Sequence, residues 1–129
     1  MLNKGAGNYA SWFSKADEDE LSVRAVLKEG APSTACFLSQ QIAEKYLKGL
    51  LIFCGKDFPK VHDLLALETL LLDAVTDIQK LHSDLGLLNR YYIETRYPGD
   101  YPGFSTDECQ KAFEAALRIK EFVLTRIKP

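Results

Sequence analysis

The sequence predicts an all-α fold, an antiparallel up-and-down bundle of four to five helices that forms one domain over residues 1–129. Apolar residues recur at three- and four-residue steps through most of the chain, which is the spacing of amphipathic helices. Glycine, proline and helix-capping residues separate these periodic segments at short intervals. No segment shows the alternating pattern of a strand, so the helices are expected to pack around a single core.

The first predicted helix runs from Tyr9 to about Glu29 and is ended by the Gly-Ala-Pro sequence at 30–32. Its apolar positions are Tyr9, Phe13, Ala16, Val23 and Leu27. The acidic run DEDE at 17–20 is predicted to be a solvated face near the start of this helix, where carboxylates suit the helix dipole. No chemistry is assigned to these carboxylates.

The second predicted helix starts after a cap at Ser33 or Thr34 and continues to a stop at Gly55. One apolar stripe comprises Cys36, Ala43, Leu47, Leu50 and Cys54, and a neighbouring apolar face comprises Leu38, Ile42 and Tyr46. Together they form an arc wider than one bundle core requires. This width predicts a homodimer, because a second chain would cover the remaining surface. The predicted dimer interface is formed by Leu38, Gln41, Ile42 and Tyr46.

The second helix also carries four polar residues at consecutive turns, Gln40, Gln41, Glu44 and Lys45. They are interpreted either as a stripe that faces water or as the lining of a groove at the dimer axis, with the groove preferred.

Three further helices are predicted. The third covers His62 to Val75, and the fourth extends from a cap at Asp77 to a proline- and glycine-rich loop. The last helix begins at Ser105 or Thr106. Its apolar stripe comprises Cys109, Phe113, Ala116, Ile119, Val123 and Ile127.

Composition excludes several classes of function. The chain is 47% hydrophobic and 26% charged with a formal net charge of -2, so it has no overall attraction for nucleic acid or anionic membranes. It contains no apolar run long enough to span a bilayer and no apolar signal-peptide core, which predicts a cytoplasmic protein. The three cysteines have no close pair, and we therefore expect reduced, mostly buried thiols and no zinc site. No metal or cofactor motif is present, so neither is predicted.

The loop ETRYPGDYPGF at 94–104 is too rich in aromatic residues to be a plain connector. Arg96 could clamp a phosphate while the ring of Tyr97 or Tyr101 stacks on a base. Alternatively, Arg96 forms a structural ion pair with Asp100 or Glu94. Both interpretations remain open from the sequence.

Several segments together resemble the HEPN domain family, a small helical nucleotide-binding domain found beside minimal nucleotidyltransferases in prokaryotes. They are KADEDELSVRAVLKEG at 15–30, CFLSQQIAEKYLKGLLIFCGK at 36–56, VHDLLAL at 61–67 and YYIETRYPGDY at 91–101. The resemblance implies a helical bundle that is usually a homodimer, often paired with a nucleotidyltransferase in a two-gene, toxin–antitoxin-like system. It also implies that His62 lies close to the arginine-tyrosine-proline loop. The preferred alternative is that His62 is a structural residue, hydrogen-bonded at the start of the third helix.

Two departures from the family pattern bear on function. Many HEPN proteins are metal-independent ribonucleases with a histidine a few residues after an arginine, but neither Arg90 nor Arg96 is followed by such a histidine. The usual general acid or base is therefore missing. In addition, Glu20 stands where the family more often has leucine, and it is predicted either to be exposed or to reach a basic partner.

The hypothesis that follows is a non-catalytic HEPN module that binds a nucleotide or a nucleotidyltransferase partner. The alternative is a ribonuclease that uses Arg96, a tyrosine and His62. Arg90 is included as a binding residue only if a dimer brings it to the site, since ordinary helix surface is the preferred interpretation. The candidate nucleotide- or phosphate-binding residues are Arg96, Tyr97, Tyr101, His62, Arg90 and Lys45.

Overall fold

The computed structural model describes residues 8–29, 32–94 and 104–127, and these ranges are helical apart from short connections. The α-helices are α1 (Tyr9–Glu29), α2 (Pro32–Phe53), α3 (Leu64–Leu71), α4 (His82–Asn89), α5 (Tyr91–Glu94) and α6 (Thr106–Arg126). A 3₁₀ segment, Thr76–Leu81, precedes α4. No strand occurs within these ranges, and the predicted all-α bundle is confirmed. No described helix has the length and apolarity required to cross a membrane.

Local signals explain three of the helix ends. Gly55 adopts a φ of 76°, a left-handed conformation that glycine adopts without steric cost, just beyond the end of α2. Asp63 caps α3 by accepting a 2.9 Å hydrogen bond from the backbone N–H of Leu65. Ser105 caps α6 by accepting a 3.0 Å bond from the backbone N–H of Glu108.

The predicted fourth helix is divided into the 3₁₀ segment, α4 and α5, and the predicted cap at Asp77 is wrong. The 3₁₀ segment begins after Val75 without a side-chain cap. The carboxylate of Asp77 instead accepts a hydrogen bond from the guanidinium of Arg126 at the end of α6. Asp77 therefore forms a tertiary ion pair and does not cap a longer helix.

Helix α2 is the central helix of the fold. It packs on α1 along much of its length and also contacts α6, α3, α4 and α5. Ile42 and Tyr46 are fully buried within the single chain. Ile42 and Tyr46, two of the four predicted interface residues, are thus covered by neighbouring helices and need no second chain. Leu38 and Gln41 remain half-exposed on the same helix.

The acidic run of α1 is a solvated face only in part: Asp17 and Glu18 are exposed, whereas Asp19 and Glu20 are half-buried and contact α2 and α6. The hydroxyl of Tyr46 donates a 2.6 Å hydrogen bond to Asp17, and the ammonium of Lys45 lies 2.5 Å from a carboxylate oxygen of Asp19. Burial, reinforced by the Asp17 carboxylate, raises the pKa of Tyr46 well above its ordinary value. The phenol therefore stays a hydrogen-bond donor.

Glu20 reaches a basic partner, as one of its two sequence interpretations predicts. Burial alone would raise the pKa of its carboxyl, but hydrogen bonds from Lys120 and Arg24 outweigh this effect and lower the pKa. The ammonium of Lys120 on α6 lies 2.7 Å from the carboxylate. This contact ties α1 to α6 at a position where leucine would supply only apolar packing.

A disulfide joins Cys36 of α2 to Cys109 of α6, so the prediction of three reduced thiols is wrong. The two residues are 73 positions apart in sequence, and only the packing of α2 on α6 brings their Cα atoms to 4.9 Å. Both cysteines are fully buried. Cys54 is the free cysteine among the described residues, and burial raises the pKa of its thiol.

We expect a thiol reagent to detect one free thiol in the unreduced, denatured chain. It should detect three after reduction. Reduction should also lower the free energy of unfolding by up to about 4 kcal/mol, because it frees a loop of 73 residues in the unfolded state. The variant Cys54→Ser should lose the same stability on reduction as the wild type, and the reagent should detect no free thiol in it before reduction. Three reactive thiols in the unreduced wild-type chain would contradict the disulfide.

Candidate functional site

A row of buried polar side chains runs along one face of α2. It consists of Gln40, Glu44 and Lys48, which are four residues apart and therefore lie one helical turn from each other. The side-chain amide of Gln40 donates to Glu44 Oε1 at 3.2 Å, and Lys48 Nζ lies 2.9 Å from Glu44 Oε2. All three side chains are buried, and the carboxylate of Glu44 is only 5% exposed.

The connection between α2 and α3 brings His62 to this row. It turns back after Gly55 and returns along α2, so that Phe58 lies beside Lys48 and His62 lies beside Glu44. His62 Nδ1 is 3.2 and 3.1 Å from the two carboxylate oxygens of Glu44. Gln40 also donates a 3.0 Å bond to the backbone carbonyl of His62. The sequence predicts that His62 starts the third helix, whereas α3 begins at Leu64 and His62 lies in the connection.

The carboxylate of Glu44 determines which ring nitrogen of His62 is available to a ligand. An ionised carboxylate accepts hydrogen bonds and donates none, so Nδ1 must carry the hydrogen in this contact. Nε2 has no hydrogen-bond partner among the residues that the structure describes. The His62 side chain is 48% exposed, and Nε2 is therefore the ring atom left for a ligand.

Aromatic contacts fix the orientation of His62 from a second direction. Its ring stacks on Tyr92 of α5 with 4.1 Å between ring centroids and 14° between ring planes. Phe37 of α2 continues this row of rings, with its centroid 6.1 Å from that of Tyr92. His62 is therefore held between a buried carboxylate and an aromatic face, with limited freedom to rotate.

The counter-ion of Glu44 is also held in place. The ammonium of Lys48 lies 5.6 Å from the ring centroid of Trp12 and 5.5 Å from that of Phe58, within range of cation–π attraction. Only 7% of the Lys48 side chain is exposed. Because Lys48 balances the charge of Glu44, a protonated His62 would give the row a net positive charge at its exposed end.

Of the candidate binding residues, His62 occupies this site. Lys45 is next to Glu44 in sequence but pairs with Asp19 of α1, so it is not brought to His62. Arg90 is exposed after α4, with its guanidinium 5.5 Å from the ring centroid of Tyr91. Three candidates lie outside the described residues: Arg96, Tyr97 and Tyr101.

Sequence reasoning missed the role of Glu44 and omitted Lys48 and Tyr92. It interpreted Gln40 and Glu44 as a water-facing stripe or groove lining, whereas both are buried and hydrogen-bonded. The available signal was the four-residue spacing of polar residues inside an apolar helix, which places them on the same face. Gln41 extends the network by donating a 2.7 Å bond to the side-chain oxygen of Gln40.

Comparisons with family models and with solved structures both find similar proteins. The family model of the HEPN domain matches residues 9–127. The structure is similar to that of TT1696 from Thermus thermophilus, with 29% identity, a TM-score of 0.86, and coverage of 93% of this chain and 98% of that chain. It is also similar to ST0689, an archaeal HEPN homologue, at 29% identity with a TM-score of 0.74 and the same coverages. No curated protein shows detectable similarity to the chain.

We expect Lys48→Met to destabilise the fold by about 3 to 5 kcal/mol, because it leaves the buried carboxylate of Glu44 without its cation. The matched control Lys45→Met breaks a more exposed ion pair and should cost about 1 kcal/mol or less. Adding Glu44→Gln to Lys48→Met should restore part of the lost stability. Urea unfolding of the wild type and the three variants measures these differences, and equal losses for the two lysine variants would contradict the assignment.

Proposed function

The chain belongs to the HEPN domain family, and we propose that it is a non-catalytic HEPN module that binds a nucleotide through its phosphate groups at His62. One observation supports this most strongly: Glu44 and Tyr92 orient the His62 ring, and Nε2 has no partner in the described part of the chain. A protonated imidazole donates a charge-assisted hydrogen bond to phosphate oxygen. Arg96, which follows Tyr92 by four positions, is proposed as a second phosphate ligand.

The arrangement favours binding over catalysis. Cleavage of RNA by its own 2′-hydroxyl needs a base for the nucleophile and an acid for the leaving oxygen. His62 can serve in one role, but its neighbour Glu44 is buried and already accepts hydrogen bonds from Lys48 and Gln40. The arginine–histidine spacing of the ribonuclease members is also absent from the sequence.

The proposed partners are a second copy of the chain and a minimal nucleotidyltransferase, in a toxin–antitoxin-like two-gene system. The resemblance of the α2 and α5 segments to nucleotidyltransferase-associated HEPN domains supports the second partner. Self-association is proposed at the first half of α2, where Phe37, Leu38 and Gln41 remain half-exposed next to the His62 site.

We expect wild-type protein to bind ATP, used as the probe nucleotide, with an affinity that falls as salt rises. His62→Gln should weaken this binding by roughly 1.5 to 3 kcal/mol, the range for a hydrogen bond to a charged group. Glutamine can still donate to Glu44, so the fold should be retained. His82→Gln is the matched control, because His82 also contacts a buried glutamate, Glu68, but lies outside the His62 site.

Isothermal titration with thermal melts separates the possible outcomes. Equal losses of affinity in the two histidine variants would contradict a site at His62. Arg96→Ala should weaken binding without changing the melting temperature, whereas a lower melting temperature with unchanged binding would make Arg96 structural. Cleavage of RNA in EDTA by wild type but not by His62→Gln would replace the proposal with the ribonuclease alternative.

We expect the wild-type chain to sediment as a dimer at micromolar concentration and Leu38→Asp to sediment as a folded monomer. Leu21→Asp is the control, because Leu21 is a 70% exposed leucine on α1, outside the proposed interface. Sedimentation velocity measures the mass, and circular dichroism confirms that each variant is folded. A monomeric wild type would contradict the proposed self-association.

A further inference from the structure

A cavity with both polar and apolar lining lies between α3, the 3₁₀ segment and the start of α4. Its volume is about 380 Å³, within the usual range for small-ligand pockets. The residues that line it are Glu68, Thr69, Leu72, Gln79 and His82. None of them belongs to the His62 site, so a ligand in this cavity would be independent of the proposed function.

Glu68 gives this cavity an incompletely compensated negative charge. It lies on α3 among the buried leucines of the core, and its side chain is only 7% exposed. Its side-chain partner among the described residues is His82, whose Nδ1 lies 2.8 Å from Oε1. Histidine carries a charge only when protonated. Glu44, by comparison, is equally buried but is paired with Lys48 and an amide donor.

The polar groups around Glu68 offer acceptors to a ligand. Thr69 donates its hydroxyl hydrogen to the backbone carbonyl of Leu65 at 3.0 Å, which leaves the threonine oxygen as an acceptor. Glu68 and Gln79 also line the cavity, and the second carboxylate oxygen of Glu68 and the side-chain oxygen of Gln79 can each accept a hydrogen bond. Three acceptor oxygens and a negative charge match the three N–H donors of an ammonium group.

We propose that this cavity binds the primary ammonium group of an amine. A guanidinium group is a poorer match, because its planar fork pairs best with both oxygens of a carboxylate and His82 already occupies one of them. A quaternary ammonium group carries the same charge but has no N–H to donate. The ammonium group can be supplied by a free polyamine or by a lysine side chain.

The test is a titration of ¹⁵N-labelled protein with n-butylamine, followed by amide chemical shifts. We expect saturable shifts at residues of the cavity, weaker binding of guanidinium, and no specific shifts with tetramethylammonium. Glu68→Gln should weaken n-butylamine binding by roughly tenfold or more. Glu18→Gln is the control, since it makes the same charge change at an exposed position of α1. Comparing spermidine with an acetylated lysine amide then identifies which source binds better.

A second variant tests the same proposal if Glu68→Gln does not fold. Thr69→Val keeps the side-chain shape and removes one acceptor, so it should also weaken n-butylamine binding. Three results would overturn the proposal: no saturable shifts, equal binding of tetramethylammonium, or equal affinity in Glu68→Gln and Glu18→Gln.

Discussion

The burial of the Glu44 carboxylate is the constraint on which the rest of the structure depends. A charge inside an apolar bundle is tolerated only when hydrogen bonds and a counter-ion replace its hydration. Gln40 and Lys48 supply these from the same helix, and His62 supplies a third contact from the returning connection. The path of that connection follows from this requirement, because His62 reaches Glu44 only if the chain returns along α2.

Two histidine–glutamate pairs lie near α3, His62–Glu44 before its start and His82–Glu68 with the glutamate within it. His62 precedes the helix and is oriented by a carboxylate whose charge Lys48 balances, so protonation of the exposed ring would add a positive charge there, as the proposed phosphate site requires. Glu68 lies within the helix and contacts His82 without a lysine or arginine partner in the described ranges, which is the basis of the proposed ammonium site. The same pair of residue types is therefore proposed to bind opposite ligands, and the buried lysine beside Glu44 is the difference between the two sites.

The sequence predicted the elements whose information is local. The bounds of α1 follow from periodicity and were predicted correctly, and the start of α6 was predicted to within one residue, at Ser105 or Thr106. The errors arose where a distant residue decides the outcome. Asp77 pairs with Arg126 instead of capping a helix, and Cys36 pairs with Cys109 across 73 positions. Neither partner can be identified from spacing along a single chain.

In the candidate site, too, the local feature was predicted and the long-range contact was not. His62 was identified through the family resemblance, but its partner Glu44 was assigned to a stripe or groove because burial depends on the path of the 54–63 connection. The described ranges do not include Arg96, Tyr97 or Tyr101, so their roles remain predictions.

The tautomer of His62 tests the central claim most directly. Long-range ¹H–¹⁵N correlation spectra distinguish the two nitrogens of a neutral imidazole ring. If the Glu44 carboxylate orients the ring, the neutral form of His62 should carry its hydrogen on Nδ1 and leave Nε2 unprotonated. A hydrogen on Nε2, or the averaged signals of a freely exchanging ring, would contradict the account.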